Sequence, residues 1–185
     1  VNATIDEKTN VAGVTITAGT LSAASVTPAS FAAGASGNAA VSFTTSNAVP
    51  STGKIVVTFP AGFVLGAVAV SSPSGLDGTL TPSVSGQAVT VTRSGGTNAA
   101  AGVKSFTLSN ITNPSVTGLT GTFQIKTTDS VNTTIDQNTS VAGVTITAGT
   151  LSAASVLPAS FSAGITGNAA VSFTTSNAVP STGKI

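Results

Sequence analysis

Residues 131–185 repeat residues 1–55 without a gap, at an offset of 130. Only eight positions differ: Ala3/Thr133, Glu7/Gln137, Lys8/Asn138, Asn10/Ser140, Thr27/Leu157, Ala32/Ser162, Ala35/Ile165 and Ser36/Thr166. Whatever the chain folds into must therefore place nearly the same stretch twice, and self-similarity at a fixed spacing marks tandem architectures. The chain holds one complete 130-residue unit and part of another. The remainder is a duplicate of residues already present, not a complement to them. A partial unit buries too little surface to offset its chain entropy. The expected division is thus an end of a preceding repeat at 1–19, one complete repeat at 20–149, and the start of the following repeat at 150–185. On this reading the chain is a slice of a longer tandem array.

Strand signals dominate the unit. Val14-Thr15-Ile16-Thr17 and Val41-Ser42-Phe43-Thr44 alternate apolar and hydroxyl side chains, the period of a half-buried strand. Lys54 to Phe59 places Ile55, Val57 and Phe59 on one face. Phe63, Leu65, Val68 and Val70 follow the Pro60-Ala61-Gly62 turn. Leu80, Pro82 and Val84 run into a tight turn at Gly86-Gln87, from which Val89 and Val91 return. Phe106 and Leu108, then Phe123 and Ile125, continue the alternation. Gly-, Pro-, Ser- and Asn-rich clusters separate these runs. The Ala99-Ala100-Ala101 stretch is too short to read as a helix.

About seven or eight strands in such a unit predict an all-β fold, an antiparallel sandwich of immunoglobulin-like type in tandem 130-residue repeats. The expected core is Phe31, Phe43, Ile55, Val57, Phe59, Phe63, Val89, Val91, Phe106, Leu108, Phe123 and Ile125. Val141 to Ala148 reads as strand, and so does Thr150 to Val156. Between them no flexible Gly/Ser- or Pro-rich linker occurs, which predicts a short, stiff junction.

Composition narrows the chemistry. The chain has no Cys and no His. Ser-His-Asp and Cys-His triads, zinc fingers, haem ligation and histidine pH switching are excluded. The formal net charge is +1, so nothing in the charge balance grips a nucleic-acid backbone. Hydrophobic residues make up 41% of the chain, too many for a disordered segment. No catalytic, cofactor-binding or metal-binding residues are expected, and the chain is not read as an enzyme, because no nucleophile–base pair is in sight.

Five patterns carry a chemical alternative. Asp6-Glu7, Asp129 and Asp136 suggest calcium between units, but Glu7 becomes Gln137 in the second copy, and a solvated junction loop is the better reading. Lys54, Lys104 and Lys126 suggest Lys–Asn isopeptide cross-links, as in some surface immunoglobulin-like domains. The few acids favour lysines that snorkel at strand ends instead. Asn2, Asn110, Asn132 and Asn138 each open an Asn-x-Ser/Thr triplet and are candidate N-glycosylation sites. Thr15-x-Thr17 and Thr90-x-Thr92 read as polar strand faces rather than ice-binding ladders. Ile55 to Val70 is broken by Pro60 and Gly62 and falls short of the roughly 20 apolar residues of a membrane span.

Asn47-Ala48-Val49-Pro50, Gly53 to Phe63, Ser85 to Val91 and Phe106 to Pro114 resemble the Ig-like repeats of large secreted or cell-surface microbial proteins. The resemblance covers most of the unit and rests on turn and strand residues, so it carries no catalytic or binding positions. It implies an extracellular or cell-surface array of stalk or fibre repeats.

Charged residues are 6% of the chain against about a quarter in ordinary soluble domains. Such a surface lacks the charges that commonly guard sheet edges. The expected role is a structural protein, with tandem repeats forming an extracellular filament or fibre such as a surface appendage or hair. The alternative is a passive stalk of a cell-surface adhesin. The expected partners are other copies of the repeat and glycans, with no nucleic acid, no cofactor and no membrane span.

Overall fold

A computed structural model describes residues 6–8, 10–179, 181, 183 and 184. It is all-β, with no helix among the described residues. In chain order the strands are β1 (Gly19–Thr20), β2 (Ser22–Pro28), β3 (Ser36–Thr45), β4 (Lys54–Thr58), β5 (Val64–Leu65), β6 (Val70–Ser74), β7 (Thr79–Ser85) and β8 (Ala88–Ser94). They continue with β9 (Gly102–Thr112), β10 (Gly118–Leu119), β11 (Phe123–Thr128), β12 (Thr134–Val141), β13 (Thr145–Ile146), β14 (Ser152–Pro158) and β15 (Ala169–Thr174).

Two sheets make the body, an arrangement consistent with a β-sandwich. One is six-stranded, in the order β1-β12-β11-β4-β8-β7. The other runs β2-β3-β9-β5, with β6 also paired to β9. Pairing between strands is antiparallel except at β1, which lies parallel to β12 through Gly19↔Asp136 and Thr20↔Gln137. The chain thus enters on one sheet and crosses at Leu21 to the other.

The period-2 pattern explains the packing. Ile55, Val57, Val89, Val91, Phe123 and Ile125 from the larger sheet meet Val41, Phe43, Phe106 and Leu108 from the smaller in a single buried cluster. Phe59, Phe63 and Phe123 pack with ring centroids 5.4–5.5 Å apart, two of the three contacts edge-to-face. Such contacts add about 1 kcal/mol each beyond area burial. β7 and β8 are joined by the expected turn, with Ser85 opposite Ala88 across Gly86-Gln87.

Three expectations are corrected. Phe31 is 42% exposed, because it lies in the loop after β2 at one end of the body, where its carbonyl accepts from Thr147 N. Val14 to Thr17 forms no strand, and Val14 and Ile16 are 84% and 86% exposed. The same residues in the second copy do pair. Thr145–Ile146 lies against Gly118–Leu119, and Thr147 bridges Ala32. The earlier copy has no such partners, and an isolated period-2 run is not stable alone. Finally, Val141 to Ala148 is not one strand. It bends after Val141, where Thr120 N donates to Val144 O and Val144 N to Thr120 Oγ1, and so passes from β11 to β10.

The duplicated sequence folds alike in one respect and differs in another. β14 pairs β15 with Val156↔Val171 and Pro158↔Ala169, the register of Val26↔Val41 and Pro28↔Ala39 in β2–β3. Both hairpins carry the same irregularity, with Ala23 and Ala153 at φ 46° and 48°. Yet Val41 is fully buried and Val171 is 63% exposed.

Candidate functional site

The buried ions lie at one end of the body. Arg93 follows Val89 and Val91 on the inward face of β8, and its side chain is fully buried. One terminal nitrogen donates to Val49 O at 2.7 Å and Pro50 O at 2.6 Å. The other donates to the Asp77 carboxylate at 2.6 Å and to Thr97 O at 2.9 Å. Asp77 also accepts from the backbone N–H and the hydroxyl of Thr97. These contacts hold the Asp77 carboxyl below its ordinary value of 3.8, Thr97 contributing most and Arg93 least. Three loops are thereby tied to one guanidinium.

Lys104 on β9 donates to Ala100 O at 2.8 Å, with Gly102 O and Val103 O at 3.4 Å. Burial, and secondarily the charge of Arg93, push its ammonium below the usual lysine range. Backbone carbonyls surround both cations, so this arrangement fastens loops.

Asp136 is fully buried on β12. Its carboxylate accepts from Asn47 N at 2.9 Å and Asn47 Nδ2 at 2.6 Å. Asp129 accepts from Val131 N and Thr133 N. Asp6 and Glu7 are exposed. No three acidic side chains gather to hold a metal ion among the described residues.

The three lysines split the ingredients of an isopeptide site. Lys54 Nζ lies 2.7 Å from Asn132 Oδ1, but no carboxylate comes within ion-pair distance, as the one salt bridge among the described residues is Arg93–Asp77. Lys104 is buried, but its hydrogen bonds go to carbonyls. Lys126 is exposed. Thr90 and Thr92 are half-buried on β8, whereas Thr15 and Thr17 lie outside any strand.

The candidate glycosylation asparagines differ in what their amides do. Asn2 lies outside the described residues. Asn110 is exposed, at φ 56°, and its Nδ2 donates to Ala67 O at 2.7 Å. Asn138 Nδ2 donates to Leu21 O at 3.1 Å. Asn132 is exposed in a turn at φ 73°, and only its Oδ1 is engaged, by Lys54. Sequence triplets alone do not separate these three.

The edges and the junction are the remaining surfaces. β7 is one of the two outer strands of the larger sheet, opposite the two-residue β1, and Pro82 at its centre supplies no N–H. β2 is the outer strand on one side of the smaller sheet, with β5 and β6 on the other, and is broken by the register shift between Ser22 and Ser25. Both devices blunt strand addition without charge. The segment before β14 is tied to the loop after β2: Thr147 N donates to Phe31 O and Ala33 N to Thr147 O, both at 2.8 Å. Asn113 Nδ2 holds the same loop through Ser30 O and Ala32 O. Arg93 and the Asn47–Asp136 pair escaped the sequence reading. For Arg93 the signal was present, since it continues the period-2 face of Val89 and Val91. Comparison with protein-family models and with curated proteins finds no match for this chain.

Proposed function

We propose that this chain is structural, a run of Ig-like β-sandwich units in tandem that build an extracellular filament or fibre. The observation that carries this reading is the second hairpin. It repeats the register and the irregularity of β2–β3, while its apolar face lies open. An apolar sheet face of this kind is half of a core, and the first unit displays the other half in Ile55, Val57, Val89 and Val91. The crossing from β1 on one sheet to β2 on the other supports the immunoglobulin-like assignment. Buried cations that tie backbone carbonyls and the Asp77 carboxylate together support a mechanical role over a chemical one. Asn132 is the best placed of the asparagines to carry a glycan.

The guarded edges favour a second reading, a passive adhesin stalk. Pro82 and the break in β2 oppose sideways pairing, which suits units that touch only end to end. Electron microscopy of the native material tests both. Ordered fibres of constant axial spacing support the filament. Separate thin rods capped by a different globular domain support the stalk. Irregular single chains with no repeat spacing overturn both.

A further inference from the structure

We infer that successive units meet through a keyed joint, in which the loop after β15 of one unit seats its asparagine against a glycine notch on the unit before. This rests on the tandem reading and adds the partner surface, a second copy of the same unit.

Among the described residues from 151 onward, every one is exposed except Phe173 and Asn177. Asn177 is covered from the first unit. A Cβ built on Gly34 would lie 3.3 Å from Asn177 Cβ, and Ala178 O is 4.0 Å from the same point. Gly34 adopts φ 71°, so the notch requires glycine for its backbone as well as for its space. Its N–H donates to Pro114 O at 2.9 Å, which pins the notch to the body. Ser115 and Val116 of the first unit and Leu151 of the second line the same cleft.

The second copy of the glycine supplies an internal control. Gly164 occupies the matching turn at φ 76°, and nothing lies within 4 Å of its Cβ position. The turn therefore forms without a neighbour, and the covering of Gly34 belongs to the joint. The other side of the asparagine is already explained. Asn47, its counterpart in the first unit, uses its amide on Asp136 beside Gly19, and Asn177 Nδ2 likewise lies 2.9 Å from the Cβ position of Gly149. One residue type thus serves two tasks. Its amide holds the buried acid of its own unit, and its Cβ bears on the unit before.

The chain has no cysteine, so an engineered pair reports this contact alone. Disulfides need Cβ atoms about 3.5–4.5 Å apart, close to the spacing here. The Gly34→Cys/Asn177→Cys double variant should close an intramolecular disulfide under mild oxidation at least about tenfold faster than Gly164→Cys/Asn177→Cys. The control carries the same turn substitution at the far end of the β14–β15 hairpin. Equal rates would overturn the joint. Small-angle scattering of the unsubstituted chain decides independently of any tolerance for cysteine. One narrow distance distribution is expected, and a broad one from a swinging hairpin would overturn the proposal. Either failure leaves a flexible array standing, since the tandem reading is tested by microscopy.

Discussion

Arg93 occupies the third inward position of β8, where alternation asks for an apolar side chain and supplies a cation. Its position was legible in the period, but its partners were not, since Val49, Pro50, Asp77 and Thr97 are brought to it by three separate loops. Removing a buried donor group strands its acceptors. Arg93→Ala should lower unfolding free energy by about 3 kcal/mol in urea titrations. Asp77→Asn should cost less, because Asp77 is half exposed and its loop keeps the Thr97 contacts to an amide oxygen. Asp77 and Lys104 also give pH signatures of the same sign in two separate windows, one acid and one alkaline. Asp77 has a depressed folded pKa, so its contribution is complete above the ordinary value of 3.8 and is lost as pH falls through the folded value. Lys104 is depressed too, but it is a base. The unfolded chain binds its proton more tightly, so stability should rise as pH climbs from the folded value toward 10.5. Urea midpoints across pH should show the alkaline rise in the native chain and lose it in Lys104→Met.

At the scale of the strand, sequence alternation located β3, β4, β7, β8, β9 and β11, whose apolar faces are period-2 runs, and missed β12, whose buried positions include Asp136 and follow no such alternation. It failed at Val14 to Thr17 for a physical reason. That run and Val144 to Thr147 are identical in sequence, and only the later copy meets Gly118–Leu119 and Ala32. Propensity proposes a strand, and a partner decides whether it forms. The same logic separates β3 from β15. Backbone amides of Ala39 to Phe43 should exchange at least about a thousandfold more slowly than those of Ala169 to Phe173, as global and local opening differ by several kcal/mol. Hydrogen exchange read by NMR checks this directly. Val41→Ala should cost about 2 kcal/mol and Val171→Ala within about 0.5 kcal/mol, although the two valines stand in identical local sequence.

For the molecule as a whole, the small number of charges sets how copies would meet under the proposed assembly. With 6% charged residues, repulsion between chains is weak, and screening it changes little. Self-association in sedimentation experiments should be nearly indifferent to sodium chloride and strengthened by sulfate, which favours burial of apolar surface. A chain that stays monomeric at high concentration without sugar would count against assembly through bare protein surfaces. The glycine notch at Gly34 then carries a geometric implication. A contact between unlike faces of identical blocks is head-to-tail, and its repetition is a screw operation unless the rotation closes a ring. In any tandem array joined in this way, the twist and rise per unit would thus be set by one left-handed turn and the asparagine lodged in it. The same bulky substitution made at that turn in every unit of a tandem array should alter its helical pitch, read by electron microscopy, while a single such change should alter one joint.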